Sequence, residues 1–235
     1  MTAFVQSRGM ILDRVRTAIQ TPAKDLADAA ADYLALPRNY TRHGSLSTKG
    51  RLQLLIDRLR EYDAEVLECS PSELPAVIAA QLAASGKHIF VAPAGLPAAW
   101  LAPGYEWKLD HGLNTAEIEE AEGVLTAASC AVADSGTIVI HHTATQGRRV
   151  LTLLPDWHLC ILHSSQVVEV LPEYFERCQQ PPAFHSSEED LSMATTPALA
   201  TYISGPSATA DIEMTRIKGV HGPRFLHVIL VREQV

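Results

Sequence analysis

The sequence predicts an α/β protein: an open sheet flanked by helices, preceded by a helical N-terminal arm. Three observations carry this reading. Apolar residues recur at helical spacing through the first third of the chain. Residues 64–92 then read as strand, helix and strand within about 30 residues, the mark of a parallel unit with a crossover. From Gly123 onward, short apolar runs bounded by turn residues dominate.

The elements follow in order. Helical spacing runs from Phe4 to Ile19 and again from Leu26 to Leu36, where Pro37 ends it. A polar loop, Arg38 to Thr48, leads into the stripe Leu52, Leu55, Ile56 and Leu59, with charges on the opposite face. Ala64–Cys69 is the first strand. Ser72 is the expected N-cap of a helix that reaches Ala84 and stops at Gly86, and His88–Ala92 is the next strand. Further strands are expected at Val124–Thr126, Cys130–Ala133, Thr137–His141, His158–Leu162 and Val167–Val168, followed by a helix over Leu171–Gln180. Residues 180–196 are polar and proline-bearing, a surface loop. Strands Thr201–Ser204 and Phe225–Val231 complete the pattern. The expected organisation is a helical arm over 1–62 and one α/β domain over 63–235.

Composition narrows the function classes. The 235 residues are 47% hydrophobic, enough for one sizeable core. Nineteen basic against 27 acidic residues give a net charge of −8, and no cluster of five basic residues occurs. A dedicated nucleic-acid surface is therefore not expected. No run of 18 apolar residues suggests a membrane span, and the charged, amphipathic N-terminus has no signal-peptide core. A cytoplasmic location is the expectation. Cys69, Cys130, Cys160 and Cys178 match no zinc or iron–sulfur spacing and read as reduced, mostly buried thiols. The ten histidines show no HxH, HxxxH or HExxH pattern, so no metal site and no cofactor is expected in this chain.

Three glycine-punctuated segments can carry chemistry. Asp134, Ser135, Gly136 and Thr137 join two strands; Asp134 can present a carboxylate at the sheet edge, and Gly136 can turn backbone N–H groups toward a ligand. The same residues also make an ordinary turn. Gly205, Ser207, Thr209 and Asp211 follow a strand, with Ser207 or Thr209 placed to cap a helix start, where anions bind. A capped helix start with Asp211 hydrogen-bonded locally fits the same residues equally well. In the third segment, His221 sits between Gly219 and Gly222, with Arg224 close by. His221 suits acid–base work and Arg224 a bidentate clamp on a carboxylate or phosphate; equally, both can tie down neighbouring loops. The candidate catalytic groups are thus Asp134 and His221. The candidate ligand-binding residues are Ser135, Gly136, Thr137, Gly205, Ser207, Thr209, Asp211 and Arg224.

The run Asp134-Ser135-Gly136-Thr137, with Arg149, Pro155 and His158 downstream, resembles the LUD domain. The run Gly205-Pro206-Ser207-x-Thr209-x-Asp211-Ile212-Glu213, with Gly219-Val220-His221-Gly222-Pro223, resembles the C-terminal signature of the LutC/YkgG group. The resemblance spans about residues 50–235. The family usually has Glu where this chain has Asp134, so the carboxylate is kept but reaches one methylene less far. The resemblance implies a fold of the NagB/RpiA/CoA-transferase type. It also implies a part in oxidising L-lactate to pyruvate, beside iron–sulfur partner subunits that carry the clusters. The glycine segments themselves point to a small anion, an organic acid or a phosphorylated compound, as this chain's ligand. Other readings stay open: a free-standing acyl-CoA transferase or sugar-phosphate isomerase using Asp134 as nucleophile or base, and a regulatory or scaffold protein.

Overall fold

Runs of aliphatic and β-branched residues with no polar alternation are what a parallel sheet covered on both faces requires. The structure, a computed structural model, is built around such a sheet. It describes residues 2–19, 26–179, 199–209, 217–219 and 222–233. The chain divides into two compact units, Met1–Tyr40 and Thr41–Val235. The first holds α1 (Thr2–Ile19) and α2 (Leu26–Ala35). Arg38 closes the end of α2, donating to the carbonyl oxygens of Tyr33 and Leu34 while its guanidinium lies 4.9 Å from the Tyr33 ring centroid.

The second unit begins with α3 (Thr48–Glu61), capped by Ser47, whose hydroxyl accepts from the Gly50 N–H at 3.2 Å. It continues through β1 (Glu65–Cys69), α4 (Leu74–Ser85), β2 (Ile89–Pro93), β3 (Glu106–Asp110) and α5 (Thr115–Glu119). Then come β4 (Gly123–Ala127), β5 (Cys130–Val132), β6 (Thr137–Ile140), β7 (Trp157–His163), β8 (Val167–Val168) and α6 (Leu171–Cys178). The chain ends with β9 (Thr201–Ile203), β10 (Ala208–Thr209), β11 (Ile217–Lys218) and β12 (Phe225–Val231).

Six strands form a parallel sheet in the order β1-β12-β7-β4-β2-β3. Toward its β1 edge, Val228 of β12 is level with Val66 of β1 on one side and Cys160 of β7 on the other. Alternate residues then face opposite layers. Cys160, Leu162, Val228 and Leu230 pack under the α3 stripe of Leu52, Leu55, Ile56 and Leu59. Leu159, Ile161 and Ile229 pack against Leu74, Ile78 and Leu82 of α4. A smaller sheet, β8-β5-β6-β9, lies on the α3 side, where Ala131 and Ile138 join the same core.

Most expected elements are present, with instructive exceptions. The parallel strands β1 and β2 are not neighbours, because β12, β7 and β4 stand between them. α3, expected in the arm, belongs to the second unit, since its apolar stripe is buried on the sheet. The helix expected to start at Ser72 begins at Leu74, and the Glu73 carboxylate accepts from the Ser70 N–H and hydroxyl. Gly86, at φ 67°, ends that helix in the left-handed conformation expected of it. Strand β3 and helix α5 were not expected. Ser207 caps no helix, since it leads into β10, which pairs with β11 in antiparallel fashion; the segment after Thr209 lies outside the described residues. Asp211, His221 and the loop over 180–196 lie outside the described residues. Among the described residues, no helix is long and apolar enough to cross a membrane.

Candidate functional site

The turn between β5 and β6 is clamped from two sides. Asp134 donates its N–H to the Glu169 carbonyl at 2.9 Å, and its own carbonyl accepts from Arg58 Nε at 3.2 Å. Gly136 takes φ 60°, and a Cβ there would lie 2.8 Å from Arg58 Cβ. Glycine is needed both for the backbone and for the contact. Asp134 and Ser135 are exposed, while Thr137 is buried. The Thr137 hydroxyl lies 2.8 Å from both the Ser135 and the Ser204 hydroxyls. A hydroxyl chain thus runs from this turn to the end of β9.

Ser204 lines a pocket of about 280 Å³ beside the first residues of β7 and β12. Its polar wall comes from Arg149, Thr152, His158, Thr201, Ser204 and Ser207. Gly205 and Pro206 close one side. At φ 84°, Gly205 presses so close to Tyr62 that a Cβ would lie 2.5 Å from Tyr62 Cβ. The loop is stitched to the segment before β12: Ser207 donates its N–H to the Pro223 carbonyl at 2.8 Å, and Gly219 donates to the Ser207 carbonyl at 2.9 Å.

Two histidines act on this pocket. His158 is fully buried, with Nε2 at 2.8 Å from Thr126 Oγ1, and burial pushes its pKa down to about 4. The ring is neutral at neutral pH. His142 lies behind Thr201: its Nδ1 is 2.9 Å from the Gly147 carbonyl and its Nε2 2.8 Å from Thr201 Oγ1. It is held at φ 59°, a left-handed conformation unusual for a side chain of this size. Arg149 Nη1 approaches the same Thr201 oxygen at 3.5 Å. Among the described lining residues Arg149 is the charged group, and no Asp or Glu stands with it. One cation, several hydroxyls and a neutral imidazole suit a small anion that also carries a polar group.

The structure redistributes the expected site. Gly205 and Ser207 line the pocket, and Thr137 reaches it through Ser204. Asp134, Ser135 and Gly136 lie outside its wall. Thr209 contributes a backbone pair in β10. Arg224 is not in the wall either: its Nε donates to Asp156 Oδ1 at 2.6 Å, and this bond holds its guanidinium pKa above the ordinary value. The cation at the pocket is Arg149. His142, Thr201 and Ser204 carry no sequence mark of their own; the contact of Thr201 with His142 spans 59 positions.

A second cavity, of about 290 Å³, lies at the carboxyl ends of β2 and β3 and is lined in part by His142. There the Asp110 carboxylate accepts from Arg148 Nε and Nη2 at 2.8 and 2.7 Å, and from the N–H groups of Gly112 and Leu113. Among the described residues no three His, Cys, Asp or Glu side chains are grouped to hold a metal. Cys69, Cys130 and Cys160 are free and individually buried.

The LUD-domain family profile matches residues 52–231. The lactate utilization protein C of Deinococcus radiodurans is 39% identical over 84% of this chain and 86% of that protein. The lactate utilization protein C of Bacillus subtilis is 34% identical over 56% of this chain and 52% of its own length. The uncharacterized YkgG of Escherichia coli is 34% identical over 47% of this chain and 44% of its own. A crystal structure of a DUF162 family protein from Deinococcus radiodurans superposes with a TM-score of 0.62 at 33% identity, covering 80% of this chain and 99% of that one. The chain therefore belongs to the LUD-domain family, in the group that includes the proteins named lactate utilization protein C and YkgG.

Proposed function

We propose that the chain serves lactate utilisation as a non-redox subunit of an L-lactate-oxidising system, binding the organic acid while iron–sulfur partner subunits carry the electrons. The observation that carries this reading is the charge pattern of the pocket. Arg149 brings a guanidinium fork to a wall of hydroxyls with no described carboxylate opposed to it, and such a fork pairs with a ligand carboxylate. His158, neutral, adds a hydrogen-bonding ring without adding charge. The names of the relatives support lactate as the acid. The cysteines support the division of labour: burial pushes the thiols of Cys130 and Cys160 up to about 12, the opposite of what a cluster ligand needs. Asp134, the nucleophile required by a transferase or isomerase reading, is exposed and outside the pocket wall.

The test is calorimetric titration of the full chain with L-lactate. Saturable binding is expected, weakened roughly tenfold or more in Arg149→Ala. Binding should be unchanged in Arg224→Ala, whose side chain is engaged by Asp156. Absence of binding, or equal binding by Arg149→Ala, overturns the assignment.

A further inference from the structure

The pocket contains a hydrogen-bond arrangement with a defined direction. The Gly147 carbonyl oxygen can only accept, so in the uncharged form of the ring the single proton sits on the His142 Nδ1 that lies 2.9 Å from it. Nε2 is then a lone pair. It lies 2.8 Å from Thr201 Oγ1, so the Thr201 hydroxyl proton points at His142. Arg149 Nη1, 3.5 Å from the same oxygen, can only donate. Thr201 has one proton to give and has given it, so its remaining capacity toward the pocket it lines is that of an acceptor.

The geometry points to Thr201 as the group that selects a 2-hydroxy acid over a 2-oxo acid, with His142 as the positioning residue that sets its direction. This rests on Arg149 holding the ligand carboxylate. Arg149 and Thr201 are adjacent in the wall, as a carboxylate and the hydroxyl on the next carbon are adjacent in the ligand. A hydroxyl there donates into the free lone pair of Thr201. A ketone oxygen in the same place sets acceptor against acceptor and leaves both unpaired. Sites built to bond a hydroxyl discriminate strongly against analogues that lack it. The left-handed backbone of His142 fits this role, since at φ 59° its ring bridges Gly147 and Thr201. The arrangement makes the reduced member of a hydroxy acid/oxo acid pair the favoured ligand and the oxidised member the one released.

Calorimetric titration of the full chain with L-lactate, pyruvate and propanoate tests this. L-lactate should bind about tenfold tighter than propanoate, with pyruvate no tighter than propanoate. Thr201→Val, which keeps the shape of the side chain, should bring L-lactate to the propanoate value while propanoate binding persists. Thr201→Ser should retain the preference. His142→Asn, a residue that tolerates positive φ, should lose it with the Thr201 hydroxyl still present. Pyruvate binding as tightly as L-lactate, or a preference that survives both Thr201→Val and His142→Asn, overturns the role of Thr201. If propanoate binds through Arg149 and L-lactate binds no tighter, the carboxylate site stands and this inference falls. If none of the three acids binds, both fall.

Discussion

Thr126 Oγ1 and His158 Nε2 meet at 2.8 Å between β4 and β7, both side chains wholly enclosed. The enclosure keeps the imidazole neutral, with a pKa pushed down to about 4, while an unfolded chain protonates it near 6.5. The sign follows from linkage. The folded-state pKa is depressed, so the full stability is present above 6.5 and is lost as pH falls toward 4, by on the order of 3 kcal/mol. Urea midpoints measured across that range should fall more steeply for the native chain than for His158→Asn. Parallel slopes would remove the claim.

Gly205 and Gly104 share positive φ, at 84° and 91°, but differ in surroundings. A Cβ at 205 meets Tyr62, whereas at 104 nothing lies within 4 Å. Alanine at 104 should cost about 1 kcal/mol, from the backbone alone. Alanine at 205 should cost about 2 to 3 kcal/mol, because Tyr62 or the loop must shift. Denaturant unfolding of the two variants ranks them, and equal losses would show that the Tyr62 contact yields freely.

The Asp110–Arg148 pair is asymmetric. The Asp110 side chain is 4% exposed and that of Arg148 51%. The Arg148 bond, with the Gly112 and Leu113 N–H groups, holds the Asp110 carboxyl below its ordinary pKa. Its contribution is present above about pH 4 and lost as pH falls through the lowered folded value. Asp110→Ala should destabilise by about 2 to 3 kcal/mol, since it orphans two N–H groups as well as the guanidinium. Arg148→Ala should cost less. Chemical denaturation at pH 7 of both single variants decides it, and a larger loss in Arg148→Ala would contradict the asymmetry.

Alkylation should divide the cysteines. Cys130 and Cys160 have thiols raised to about 12 by burial and should resist iodoacetamide at pH 8 in the folded chain. Both should label at once in denaturant, as read by peptide mass mapping. Fast labelling of either in the native state would contradict the closed core.

The parallel core was legible because its strands are long aliphatic runs; Phe225–Val231 is a strand with the bounds expected from its pattern. Strand β3 was hidden. As an edge strand, Glu106–Asp110 is half-buried and carries Lys108 among its side chains, so neither a continuous run nor a clean alternation marks it. The neighbour relations of β1 were hidden for another reason: its partner β12 lies at the far end of the sequence, and no local pattern encodes that pairing. The site divides similarly. Glycine and serine in the 205–207 loop announced themselves by composition, and Arg149 and His158 stood in the family-like series without being read as pocket residues. Thr201 and His142 gain their meaning only from a contact across 59 positions.

β12 lies inside the large sheet, between β1 and β7, but comes last of its six strands along the chain. β1 has no other neighbour there, and Glu65 waits for His227 across nearly the whole α/β unit. On the ribosome, β1 and one side of β7 are therefore open edges until the closing segment emerges, and open edges recruit other strands. Assembly is governed by a slow, non-local closure. A nascent chain stalled before residue 225 is a sheet with its keystone missing, exposed to aggregation for as long as the stall lasts.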